Sequence, residues 1–200
     1  MHSSLSMFTG IVQGLGVLRR RGSGEVEISL PPPMRERLAI GGSIAVNGVC
    51  LTVIGLGERS FRSDISAETA SRTTLGRIRT EEAVNLELPL SLGSPLDGHI
   101  VLGHVDAVGR IEAFYREGEG WTLICSYPPE YRRYLAEKGA VAIDGISLTP
   151  YQLDGGTFRC AVIPATYEGT NLKARHSGDP VNLEFDIMAK YVEGMVRVVR

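Results

Sequence analysis

Ser43, Cys50 and His104 carry a hydroxyl, a thiol and an imidazole, the groups that serve as nucleophiles and proton carriers. They stand out because each lacks a counterpart of its own type in a chain that repeats itself. Asn47-Gly-Val-Cys-Leu-Thr52 returns 97 residues on as Asp144-Gly-Ile-Ser-Leu-Thr149. Val84-Asn-Leu-Glu87 returns as Val181-Asn-Leu-Glu184, and the stretch Glu68–Leu75 as Ala165–Leu172, at the same offset. The openings, Gly10-Ile-Val-Gln-Gly-Leu-Gly16 and Gly103-His-Val-Asp-Ala-Val-Gly109, match at an offset of 93, so the second copy has gained four residues. In this register Cys50 faces Ser147, Ser43 faces Ala140 and His104 faces Ile11, while Thr52 and Thr149, and Thr69 and Thr166, agree. Agreement points to fold or shared binding, and difference to chemistry acquired by one copy. The plainer readings stand beside this one: a cysteine on an apolar strand also suits a core, and His104 also suits the end of a strand.

Other chemistries find little support. His99 and His104 are five apart, an odd offset that puts them on opposite faces of a straight strand, so they are no metal pair. The three cysteines, Cys50, Cys125 and Cys160, form no CxxC pair and indicate neither a disulfide framework nor a zinc knuckle. Gly14-Leu-Gly16 fails the dinucleotide frame, and the Gly-x-Ser-x-Gly and HExxH motifs are absent. The 21 basic and 23 acidic residues leave a net charge of −2, without the basic surplus of a nucleic-acid protein. No apolar run is long enough to span a membrane. The start Met1-His-Ser-Ser-Leu-Ser lacks the pattern of a signal peptide, so a cytoplasmic location is expected.

The elements that must position these groups read as β. Of 200 residues 24 are glycine and 10 proline, and β-branched runs are short, which means tight turns and short strands. Asn47-Gly48 interrupts an apolar run as a hairpin turn does. Glu25–Leu30 alternates as a half-buried strand, and Phe158–Ile163 reads as another, ended by Pro164. Prolines open short helical turns at Pro33–Leu38 and Pro129–Leu135. About six strands in ninety residues make a small closed barrel. The expected fold is therefore all-β: two tandem six-stranded Greek-key-like barrels, residues 7–95 and 96–187, after a short leader at 1–6. A helix follows over 188–200. Its Met188, Val192, Met195 and Val199 form a short heptad seam, lying on its own barrel or shared between subunits.

Five ordered runs carry a specific resemblance. They are Met7-Phe-Thr-Gly-Ile-Val12, Ser43–Val53, Gly98-His-Ile-Val-Leu-Gly-His-Val-Asp106, Lys138–Thr149 and Ala189-Lys-Tyr-Val-Glu193. Together with the duplication, they resemble the alpha-type riboflavin synthases of the lumazine-binding repeat family. The resemblance implies two similar barrels, a C-terminal helix and a trimer. It implies a transferase that dismutates two molecules of 6,7-dimethyl-8-ribityllumazine. One gives a four-carbon unit to the other, yielding riboflavin and a ribitylaminopyrimidinedione without metal or added cofactor. One lumazine would sit in each barrel, where one subunit's N-barrel meets another's C-barrel. Association with lumazine synthase is a further implied partnership; no nucleic acid or membrane is involved.

Carried onto matching positions, the resemblance places Gly10, Ile11, Val12, Cys50, Leu51, Thr52, Asp64, Ile65, Ser66, Ala67, Glu68 and Thr69 in the first pocket. The second takes Gly103, His104, Val105, Lys138, Ser147, Leu148, Thr149, Val162, Ile163, Pro164, Ala165, Thr166 and Tyr167. Ser43, Cys50 and His104 are expected near the reacting atoms, with Lys138 and Asp186 supporting charge. A planar ring system wants apolar walls and a few fixed polar groups. Thr52 and Thr149 suit the ring edge and Glu68 the ribityl chain, whereas Ala165, its repeat partner, does not. The chain departs from the family's pattern at Asp97, Pro150 and Ala165. Two other readings remain. A non-catalytic lumazine or flavin carrier of the bioluminescence-antenna kind tends to lose the cysteine after Asn-Gly and the Gly-His-Val-Asp run, both present here. A structural β-barrel module would not require Cys50, His104 and Lys138 together. A carrier would purify coloured or fluorescent; a structural module would not.

Overall fold

The computed structural model describes residues 6–22 and 24–198. The first copy forms β1 (Gly14–Arg21), β2 (Glu25–Ser29), α1 (Pro32–Arg35), β3 (Ser43–Val46), β4 (Val49–Leu56), β5 (Ser60–Asp64), α2 (Ala67–Arg72) and β6 (Ala83–Glu87). The six strands close into a barrel in the order β1-β2-β5-β4-β3-β6. The second copy forms β7 (Ala107–Glu117), β8 (Gly120–Ser126), β9 (Val141–Ile143), β10 (Ile146–Leu148), β11 (Pro150–Asp154), β12 (Thr157–Val162), α3 (Pro164–Gly169) and β13 (Pro180–Phe185). The Pro129 turn is a 3-10 helix, Pro129–Tyr134, and the chain ends in α4, Ile187–Val198.

Local chemistry accounts for the hairpins. Asn47 and Gly48 have φ of 45° and 74°, and Asp144 and Gly145 repeat this at 46° and 76°. Two successive left-handed residues match the strand twist and set the register Ser43↔Thr52 and Ala45↔Cys50. Strands such as β4 alternate buried and more open positions, sending every second side chain inward. Repeat partners fill the same places in the two cores: Phe61 and Phe158, Leu75 and Leu172, Leu86 and Leu183, all fully buried.

The second copy differs in one respect from the expected six-stranded closure. It is a curled seven-stranded sheet ordered β10-β9-β13-β7-β8-β12-β11, whose two end strands are joined through Thr149. The cause is Pro150. In the first copy Val53 donates its N–H to Gly42 O (2.9 Å) and β4 runs on unbroken. Pro150 holds the same place and has no N–H, so the strand divides there. The acceptor half survives: Lys138 N donates to Pro150 O (2.9 Å) as Gly41 N does to Val53 O (2.8 Å).

The barrels join through an approximate twofold relation. Phe8 and Val101 exchange backbone hydrogen bonds of 2.7 and 3.1 Å. Around them Ala45 and Ala142 complete a small apolar cluster. Beside it lies a buried polar network. Asn85 Nδ2 donates to Asp144 O (2.9 Å), and Asn182 Nδ2 donates to Asn47 O (2.8 Å). Their carbonyls accept from Asn171 N and Thr74 N, each at 2.7 Å. The fully buried Asp144 is pushed up by burial and held down by Arg175, whose Nη2 lies 2.9 Å away.

α4 shows how the tail seam sits. Lys190 Nζ reaches Asp106 (2.7 Å) and Glu193 takes Arg133 (2.8 Å) and the Tyr134 hydroxyl, so its polar side is tied to the second copy. Met188, Val192 and Met195 are exposed on this chain. Val199 lies outside the described residues, as do positions 1–5 of the leader; Ser6 hydrogen bonds to Ser43 (2.7 Å).

Removing the Asn182 amide strands Asn47 O and Thr74 N in the dry junction. Asn182→Ala is expected to lower unfolding free energy by about 3 kcal/mol. Glu68→Ala, at an exposed ion pair, should stay within about 0.5 kcal/mol of wild type. Urea denaturation followed by circular dichroism measures both.

Candidate functional site

The structure sets part of the predicted residues at two equivalent mouths, each where one copy's opening segment crosses the other copy's hairpin. At the first mouth, Cys50 N donates to Gly103 O (2.9 Å), so the opening segment of the second copy lies across the first copy's hairpin. Gly103 is required there: its φ is +76°, and a Cβ would stand 2.5 Å from that of Cys50. His104, the next residue, is exposed, and the exposed Thr52 pairs directly with Ser43 across the hairpin. Burial pushes the Cys50 thiol above its ordinary pKa; the Ser43 side chain favours the thiolate, and Glu184 opposes it.

At the second mouth the arrangement is mirrored. Ser147 N donates to Gly10 O (2.8 Å), Gly10 has φ +76°, and a Cβ there would lie 2.7 Å from Ser147 Cβ. Ile11, following Gly10, occupies the place that His104 holds at the first mouth, and is likewise exposed. Lys138 is exposed with φ +63°, left-handed like Gly41, its repeat partner, and its Nζ stands 5.9 Å from the Tyr151 ring centroid. Thr149 lies exposed in the gap between β10 and β11. Asp186 stands at this mouth through His99, on which it bears electrostatically and whose Nδ1 bonds Ser147 Oγ.

The remaining predicted residues divide by exposure. Ser66 caps α2 by accepting from Thr69 N (3.0 Å), leaving Asp64, Ala67 and Glu68 exposed and Thr69 half-buried. Glu68 is engaged with Arg72 at 3.3 Å. In the second copy Ile163, Pro164 and Ala165 are exposed, Thr166 is half-buried, and Tyr167 stacks on Trp121 at 3.9 Å. Leu51, Ile65, Leu148 and Val162 turn into the barrel cores, so only their backbones border a mouth. Val12 and Val105 are half-buried against the core of the copy opposite their own.

Three residues escaped the sequence reading. His99 bonds Ser147 Oγ through Nδ1 (2.7 Å); burial holds its pKa down, opposed by Asp186. The other two are Glu87 and Glu184. Glu87 accepts from Thr9 N (2.6 Å) and Gly10 N (3.1 Å), and Glu184 from Leu102 N (2.7 Å) and Gly103 N (3.0 Å). Burial raises both, Glu184 to about 7, against the pull of its amide donors and of Lys190. The signal was the repeated Val-Asn-Leu-Glu run itself, whose final carboxylate has no place in a barrel core unless backbone amides receive it.

Ser43, Cys50 and His104 belong to the first mouth, and Lys138 and Asp186 to the second. A roomy surface concavity of about 630 Å³, lined by Arg19, Glu27, Pro31 and Arg59 among others, contains none of them. No group of three His, Cys, Asp or Glu side chains suited to a metal occurs among the described residues.

Similarity to known proteins agrees with the duplication. The lumazine binding domain family matches twice, at residues 9–89 and 102–186. The riboflavin synthase of Mycobacterium bovis is 44% identical over 199 residues, covering 96% of this chain and 98% of that protein. That of Actinobacillus pleuropneumoniae is 39% identical over 191 residues, covering 94% and 88%. The fold is that of LumP. Its complex with 6,7-dimethyl-8-(1'-D-ribityl) lumazine superposes with a TM-score of 0.81 at 24% identity, over 88% of this chain and 98% of that one. Its riboflavin complex gives 0.84 at 23%, over 89% and 98%.

The thiol's environment yields a prediction. Burial favours the neutral thiol of Cys50, so iodoacetamide should alkylate it more slowly at neutral pH than an exposed cysteine and faster as pH rises. Ser43→Ala removes a group that favours the thiolate and should move the rise to still higher pH, as read by mass spectrometry of the Cys50 peptide.

Proposed function

The chain belongs to the lumazine-binding domain family, and from that premise we propose that it is a riboflavin synthase. The observation that carries the reading is the pair of equivalent mouths with unequal chemical equipment. A dismutation uses two identical substrates in two different roles, and a duplicated barrel with one altered mouth matches that demand. The atoms of two 6,7-dimethyl-8-ribityllumazine molecules equal those of riboflavin plus 5-amino-6-(D-ribitylamino)uracil. No oxidant or reductant is consumed.

The chemistry asks for a proton taken from the 7-methyl of one ring and for a nucleophile at the other. Cys50, Ser43 and His104 supply a thiol, a hydroxyl and an imidazole at one mouth. Lys138 supplies a cation at the other, on a left-handed backbone that costs a lysine on the order of 1 kcal/mol and its glycine partner nothing. That cost is accounted for if the ammonium meets the carbanion or the ring oxygens. Thr52 and Thr149 face solvent at matching places, suited to the ring edge. Holding two rings face to face could supply much of the rate, because oriented partners reach effective molarities of roughly 10⁵ M or more.

Each mouth of one chain takes one ring in this proposal, and the rings meet across a second copy. In this reading the first mouth of one subunit closes on the second mouth of another. The exposed side of α4, with Met188, Val192 and Met195, is available to hold copies together, in a trimer.

Incubating the protein with 6,7-dimethyl-8-ribityllumazine alone should yield riboflavin at half the moles consumed, followed by flavin absorbance. Binding without turnover would move the chain to the carrier class. Cys50→Ala and His104→Ala should each lower kcat by about a hundredfold or more. Mixing inactive Cys50→Ala and Lys138→Ala proteins should restore part of the activity after subunit exchange, because one intact mouth comes from each. No restoration would place the site within a single chain.

A further inference from the structure

The first mouth is assembled from both copies. Its floor, Cys50, is on β4, while the wall carrying His104 comes from the opening segment of the second copy. That segment is pinned on either side, by Val101 exchanging backbone hydrogen bonds with Phe8 and by Val105 packing on the first core, which leaves Leu102–His104 to be fixed between them. Leu102 is half-buried, His104 is exposed, and Gly103 lacks a side chain to anchor it.

Two contacts fix it. Gly103 O accepts from Cys50 N at 2.9 Å, and Gly103 and Leu102 donate their N–H groups to Glu184 at 3.0 and 2.7 Å. Glu184 itself lies on β13, is 4% exposed and sits in register with Ala142 of β9. Thus one buried carboxylate grips the two amides preceding His104, and the carbonyl that follows them, Gly103 O, accepts from the backbone N–H of the thiol residue. The same carboxylate bears electrostatically on the thiol.

We propose that Glu184 is a positioning residue: it clamps the Leu102–Gly103 backbone and so sets where His104 stands relative to Cys50. The proposal deepens the synthase reading and rests on it for its consequence in turnover.

Glu87 provides the matched control within the same molecule. It makes the same clamp on Thr9 and Gly10, with an added bond from Thr9 Oγ1 at 2.9 Å, and it is equally buried. What it delivers is Ile11 to the second mouth, against Ser147. A purely structural role would make the two glutamates alike, whereas a positioning role at the thiol separates them.

The experiment compares Glu184→Gln and Glu87→Gln in the full chain by two readouts. The first is the iodoacetamide alkylation rate of Cys50, which needs no turnover. A glutamine can accept one of the two amides but meets the other with its own NH₂, so either substitution opens its clamp. Glu184→Gln is expected to speed Cys50 alkylation several-fold, since it loosens the wall and removes a charge that disfavours the thiolate. Glu87→Gln is expected to leave that rate at the wild-type value while losing a comparable amount of stability. The second readout is lumazine turnover, where Glu184→Gln should lower kcat by roughly ten- to a hundredfold with little change in KM. Glu184→Asp keeps the charge at shorter reach, should recover part of kcat, and serves in place of the glutamine variant if that one fails to fold. Equal alkylation rates in the two glutamine variants, or no change in either, would overturn the proposal. An alkylation difference in a protein that never converts lumazine would uphold the clamp and sink the synthase reading instead.

Discussion

At the centre of the molecule two hairpin turns meet backbone to backbone. A Cβ on Gly48 would stand 2.7 Å from Gly145 N, and one on Gly145 would stand 2.6 Å from Gly48 N. So close an approach leaves no room for water, and every amide and carbonyl near it needs a partner from within the chain. Asn85 and Asn182 meet that need by each bridging to the other copy's turn. The requirement fixes the relative placement of the barrels, and through it the two opening segments. Gly10 can reach Ser147, and Gly103 can reach Cys50, only because the turns behind them are locked together.

The duplication has diverged under that constraint, and its changes come in compensated sets. Asp144 replaces the neutral Asn47 at the buried turn, a substitution that puts a carboxylate where burial opposes its charge. Arg175 stands where the first copy has Ile78 and answers Asp144 at 2.9 Å, while its other nitrogen reaches Glu82 at 2.8 Å. Loss of one partner from such a pair costs far more than the pair contributes, so the two positions are bound to change together. Pro150 is compensated differently: the strand breaks, yet the Lys138 amide keeps its acceptor.

The proposed function relies on exposed groups rather than an enclosed chamber. The reactive candidates sit at open mouths, on rigid hairpins, with Lys138 and Thr149 in solvent. In the proposed reaction, desolvation and ring stacking would come from whatever closes the mouth. A second copy of the chain would bring the missing wall and the missing charges together. The two buried glutamates belong to the same logic, since an opening segment serves as a wall only when something stiff holds it.

Much of this was written in the sequence. The 97-residue repeat, the Asn-Gly turn and the alternation of apolar residues depend on local geometry, so they determined two β-barrels and the equivalence of their mouths. The contrasts of Cys50 with Ser147 and His104 with Ile11 were equally plain, because they need only a register. Tertiary structure decided the rest. Glu87 and Glu184 look like ordinary strand residues until the partner amides, some eighty positions away in the chain, are brought to them. His99 looked like a poor metal ligand and proved to be a partner of Ser147. Leu51, Leu148, Ile65 and Val162 fell within the predicted pockets but turn into the cores. Which copy's segment covers which hairpin is a long-range matter, set by the packing of two glycine turns, and no spacing along the chain encodes it.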